Sequence, residues 1–103
     1  MPKEFVIATT SEVIENEGRA FAVDNRMIAV FLHEGQYYAM DDFCPHMGAS
    51  LAGGCLHKGT VACPWHAWQF DLKDGSWVDN PKIKAEVYPI KVVGENLVIE
   101  LPD

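Results

Sequence analysis

Basic residues, cysteines and long apolar runs are all scarce in this chain. Eight Lys and Arg stand against fifteen Asp and Glu, a formal charge of -7. So few cations exclude a phosphate-backbone binder and disfavour an anionic membrane, and the acidic balance suits a protein partner with a basic surface. The longest wholly apolar run, residues 27–32, has six residues, too few for a membrane-spanning helix. There is no repeat of fixed period, no low-complexity tract and no Pro/Gly linker that would separate one domain from another. The first residues show no basic stretch followed by an apolar core and a cleavage site, so no export signal is expected. Three cysteines are an odd number. Together these absences predict a cytoplasmic chain whose cysteines serve thiol or metal chemistry rather than a disulfide framework. Nor is there a Ser-His-acid set, a phosphate loop or a facial triad for mononuclear iron, so no independent active site is expected.

What is present is a 103-residue chain, 49% hydrophobic, enough for one globular domain over 1–103. Its apolar residues come in short runs and alternations between turn signals, which predicts an all-β fold. Strands are expected over 19–23 and 26–33 about an Asp24-Asn25 hairpin, and over 36–40 after Glu34-Gly35. Further strands are expected over 68–72 and 76–78 around Gly75, and over 86–93 and 96–101 around Gly94-Glu95. Residues 10–16 read as a turn or short helix. The strand pattern stops between 41 and 61, where four glycines mark a long loop, and loops of that length in a compact domain are usually functional.

In and just beyond that loop lie three Cys/His pairs: Cys44-Pro45-His46, Cys55-Leu56-His57 and Cys63-Pro64-Trp65-His66. The first and third share a Cys-Pro start, which restricts the loop before metal binds, and each is followed by a small residue, Gly48 or Ala67. Sixteen residues separate His46 from Cys63, enough for two loops to face one another. Each arm offers one thiolate and one imidazole. That donor set suits a flat 2Fe-2S unit gripped from both sides, each arm giving its Cys to one iron and its His to the other. A mononuclear zinc site on the same four residues, in an interaction domain without redox chemistry, is the alternative, although structural zinc modules usually pair Cys-x-x-Cys with a His pair or another Cys pair.

With Trp65-His66-Ala67-Trp68-Gln69-Phe70-Asp71-Leu72 and Asp74-Gly75 following the second arm, the pattern resembles the Rieske 2Fe-2S family over the whole chain. The resemblance implies an antiparallel β-sandwich base, 1–40 and 75–103, with a cluster-binding loop subdomain inserted over about 41–74. It implies that Cys44 and Cys63 bind the buried iron, that His46 and His66 bind the outer iron, and that the chain carries one electron at a time. Among short members it is similar to Rieske-type ferredoxins, which shuttle between a reductase and a terminal oxidoreductase, and to the small subunit of NAD(P)H nitrite reductase, which binds a large subunit instead.

High-potential members of that family have two further cysteines joining the loops, where this chain has Ala49 and Trp65, and hydroxyl donors to the cluster sulfurs where it has Trp68 and Phe70. A hydrogen bond to a charged group contributes about 1.5–3 kcal/mol. The resemblance therefore implies a reduction potential in the lower half of the Rieske span of about -150 to +300 mV. Outside the motif, Cys55 reads as a small, partly buried residue, His57 as a surface histidine and His33 as a solvent-facing strand end. Trp77, Tyr37, Tyr38, Phe31 and Tyr88 read as core or cross-strand residues. Phe43 and Met47, flanking the first arm, are expected to form an apolar collar that also touches the partner.

Overall fold

The computed structural model describes residues 3–43, 50–63 and 68–102. They form three antiparallel sheets. The first has strand order β1 (Lys3–Thr9), β12 (Asn96–Leu101), β11 (Ile90–Val93). The second runs β10 (Val87–Tyr88), β4 (Gln36–Asp41), β3 (Arg26–His33), β2 (Glu17–Val23), and the third β5 (Cys55–His57), β6 (Thr60–Ala62), β7 (Gln69–Asp71), β8 (Ser76–Trp77), β9 (Asn80–Lys84). The expected all-β class is what the chain adopts.

The second sheet is the middle layer, and β3 shows why. Ile28 and Val30 point into a core shared with Leu97, Ile99 and Leu101 of β12. Ala29 and Phe31, one residue out of phase, point into a second core with Leu51, Val61, Phe70 and Leu72. Side chains alternate across a strand, so a strand covered on both faces is apolar throughout. The short apolar run at 27–32 is therefore the signature of a central strand.

Turn chemistry sets the hairpins. Asp24 and Asn25 both take positive φ, 48° and 65°, between β2 and β3, as the hairpin prediction requires. Glu34 and Gly35 do the same between β3 and β4, and Lys58 and Gly59 between β5 and β6. That last hairpin corrects the expectation of an uninterrupted loop over 41–61. Its strands have three residues each, too few for a period of two to show. The predicted strand 86–93 is also divided. Pro89 has no N–H for a ladder, and there the chain leaves β4's edge as β10 and joins β12 as β11. At 10–16 a 3₁₀ turn, Thr10–Glu12, forms as expected.

Beside the end of β4, Tyr88 donates to Asp41 at 2.5 Å, and Arg26 donates to the Tyr88 hydroxyl at 3.0 Å. Burial first, then the bond to Asp41, pushes the Tyr88 phenol far above its ordinary range, so it stays a donor. Tyr88→Phe should then cost about 1.5–3 kcal/mol, as expected for losing a hydrogen bond to a carboxylate, and chemical denaturation measures it directly.

Candidate metal centre

The stems that precede both Cys/His arms are rooted in the same packed core. The first stem is the end of β4, where Met40 is fully buried. Immediately after it, the Asp42 carboxylate acts as a latch. Ser50 Oγ lies 2.8 Å from each of its oxygens, and the Ala52 N–H donates to one of them at 2.8 Å. The Asp42 N–H donates to the Met27 carbonyl at 2.9 Å. The chain before residue 44 is thus tied both to the chain after residue 49 and to β3. A second 3₁₀ turn, Leu51–Gly53, follows and buries Leu51 completely.

The second stem is β6, which leads directly into Cys63. The Cys63 N–H donates to the Trp68 carbonyl at 2.7 Å, closing the chain on either side of residues 64–67. Trp68 is half-buried and its ring stacks on Trp77, centroids 3.5 Å apart and planes 3° from parallel. Cys63 itself is 2% exposed and packs in the core that holds Met40 and Leu51.

Of the sequence-predicted ligands, Cys63 is therefore placed at the inner end of a stem. Cys44, His46 and His66 lie outside the described residues, as do Met47, Ala49 and Trp65. A buried thiol on a stem fixed to the base suits the inner, sulfur-bound iron of a cluster, and two thiolates with two imidazoles suit a 2Fe-2S unit by their chemistry. Among the described residues no group of three or more His, Cys, Asp or Glu side chains gathers that could hold a metal ion, so Cys55, His57 and His33 make no rival centre among themselves.

Two expectations outside the motif need correction. Cys55 is exposed rather than partly buried, because it stands on β5, the edge strand of the third sheet. His33 is buried rather than solvent-facing, its ring bonded to Asn16 and to Gly59. Those partners are remote in sequence, so no local pattern marks them. His57 is exposed, as expected. The latch at Asp42 is likewise invisible in the sequence, since it depends on Ser50 and Ala52 returning to the same stem. Among the described residues no helix is long and apolar enough to cross a membrane.

Comparison with known proteins agrees with this geometry. The Rieske [2Fe-2S] domain family matches residues 3–99. The 3-phenylpropionate/cinnamic acid dioxygenase ferredoxin subunit of Shigella boydii is 39% identical over 90 residues, covering 84% of this chain and 85% of that protein, and that of Escherichia coli K12 is equally similar. Among solved structures, a chain assigned as the small subunit of an NADH-dependent nitrite reductase from Mycobacterium tuberculosis superposes with a TM-score of 0.90 at 23% identity, covering 100% of this chain and 98% of that one. The terminal oxygenase of carbazole 1,9a-dioxygenase from Nocardioides aromaticivorans gives 0.86 at 27% identity, over 97% of this chain and 30% of the oxygenase. The chain belongs to the Rieske [2Fe-2S] domain family: it is a ferredoxin-type protein with a Rieske 2Fe-2S cluster as cofactor and one-electron transfer as its function.

Proposed function

We propose that this chain is a cytoplasmic electron carrier between a reductase and a terminal oxygenase, with the cluster held by Cys44, His46, Cys63 and His66. The observation that carries the ligand reading is the burial of Cys63 at the end of a stem rooted in the same core as Met40, at the end of the stem before the first arm. On that reading Cys44 and Cys63 hold the inner iron as thiolates, and His46 and His66 hold the outer iron, through which the electron leaves. The cluster-bearing unit, about 41–74 within a single domain 1–103, draws its support from the third sheet.

The choice of an oxygenase as acceptor rests on the 39% identity to dioxygenase ferredoxin subunits. The nitrite reductase likeness, at 23%, speaks to the fold alone. A nitrite reductase subunit would co-purify from native extract with a large partner, whereas a carrier emerges alone and is reduced by a ferredoxin reductase. The zinc-stabilised interaction domain is set aside by the family assignment.

Trp68 and Phe70, half-buried and buried, bring no hydroxyl to the site. The midpoint potential is accordingly expected in the lower half of the span from about -150 to +300 mV, and a value above about +150 mV contradicts that. Phe43, beside the first arm, is 61% exposed, and Met27, whose carbonyl binds the neighbouring residue of that stem, is 50% exposed. They form an apolar docking patch on an otherwise acidic chain. Phe43→Asp should lower the rate of electron transfer to the acceptor about tenfold, the equivalent of about 1.4 kcal/mol at an interface hot spot. Salt should have a smaller effect, by screening attraction to a basic partner surface. A salt effect larger than the Phe43 effect points to a mainly electrostatic contact.

A further inference from the structure

His33 is 6% exposed and is the one polar or charged residue in the buried class among the described residues. It ends β3, at the junction of three segments that are far apart in sequence. Its Nδ1 lies 2.9 Å from Asn16 Oδ1, and the Gly59 N–H donates to its Nε2 at 3.0 Å. A backbone N–H can only donate, so Nε2 must be unprotonated. The ring's hydrogen then sits on Nδ1 and is donated to the Asn16 side chain, which defines one tautomer of the neutral imidazole.

Each partner is itself held. Asn16 takes a positive φ of 65°, and its N–H donates to the Leu32 carbonyl at 2.6 Å. The neighbouring Glu15 carboxylate accepts from the N–H groups of Glu34 and Gly35, locking the same strap to the β3–β4 turn. Gly59 lies in the β5–β6 turn, and its carbonyl accepts from the Leu72 N–H at 3.0 Å. From Gly59 the chain runs straight along β6 into Cys63.

We propose that His33 is a positioning residue: as the neutral Nδ1–H imidazole it pins the β5–β6 hairpin, and with it the stem that delivers Cys63, to the base. An imidazolium would set N–H against N–H at Gly59. The Glu15 carboxylate is already committed to two backbone donors. The role in holding the cluster rests on the reading of Cys63 as a ligand, while the pin itself does not.

The test uses the holo-protein labelled with ¹⁵N. A long-range proton–nitrogen correlation of His33 at neutral pH should show hydrogen on Nδ1 and none on Nε2, and the opposite tautomer overturns the proposal. In His33→Ala, which removes the acceptor, exchange protection at the Gly59 amide should fall about tenfold relative to that at Phe21, which pairs with Ile28 in the β2–β3 ladder. In His33→Gln, whose amide oxygen still accepts, it should not fall. Parallel behaviour of the two variants overturns the pin, and the tautomer measurement on the unaltered chain decides even where a variant folds poorly. Loss of the cluster absorbance to an iron chelator should be faster in His33→Ala than in His33→Gln. Equal loss, with the pin shown to release, overturns the positioning role. Retention of iron by Cys63→Ser would instead mark failure of the ligand reading.

Discussion

Cys63→Ser should yield a chain that purifies without its visible absorbance and with iron at background level. The thiol at this position is 2% exposed and sits among Met40, Leu51, Val61 and Phe70. A serine hydroxyl neither ionises as a thiol does nor matches the softness of the iron it would serve. The loss should therefore be close to complete rather than graded. Cys55→Ser provides the internal comparison, since Cys55 is exposed on an edge strand and should keep full iron content and full absorbance. An iron assay on the two variants, purified side by side without oxygen, reads both outcomes. Equal iron in both would remove Cys63 from the ligand set.

Gly75→Ala should be the most destabilising of the small substitutions. Gly75 has φ +77°, a conformation that a side chain disfavours, and an added Cβ would run into the Ala85 carbonyl oxygen, with Val87 Cγ1 only 3.0 Å away. The obstacle is backbone and cannot rotate aside. The same two residues are joined by a hydrogen bond, the Ala85 N–H donating to the Gly75 carbonyl at 2.8 Å, so relieving the clash means opening the seam where the chain after β9 returns toward the base. The cost should be on the order of 3 kcal/mol or more. Gly35→Ala isolates the backbone part of that cost. Its φ is +78°, yet nothing lies within reach of a new Cβ, so it should lose only about 1 kcal/mol. Urea denaturation of both variants decides it, and equal losses would mean that the Ala85 contact is not what makes Gly75 necessary.

The regions of the molecule that are legible in the sequence are those governed by local chemistry. Asp24-Asn25 and Glu34-Gly35 announce their turns because positive φ at two successive positions restricts the residues that fit. The Rieske family is legible in Cys44-Pro45-His46 and Cys63-Pro64-Trp65-His66 because metal-binding motifs need particular residue types at short spacing, and of the four proposed ligands Cys63 alone lies among the described residues. The three-residue strands β5 and β6 escape because they are shorter than one readable period. The division at Pro89 escapes because a proline says that a ladder is interrupted, and does not say which sheet the chain joins next. The burial of His33 escapes for a related reason: its environment is made by Asn16 and Gly59, 17 and 26 residues away. Burial assembled from distant segments leaves no trace in a local pattern.

The measurement that bears most directly on the cluster and its ligands is pulsed EPR of the dithionite-reduced protein, purified anaerobically from cells grown on ¹⁵N-labelled histidine. A 2Fe-2S cluster with imidazoles on its outer iron predicts a red-brown protein whose signal carries strong coupling to two histidine nitrogens. One of these couplings should disappear in His66→Cys, together with a lower potential or failed assembly. A colourless protein, or a reduced cluster with no histidine nitrogen coupled to it, would contradict the assignment of Cys44, His46, Cys63 and His66.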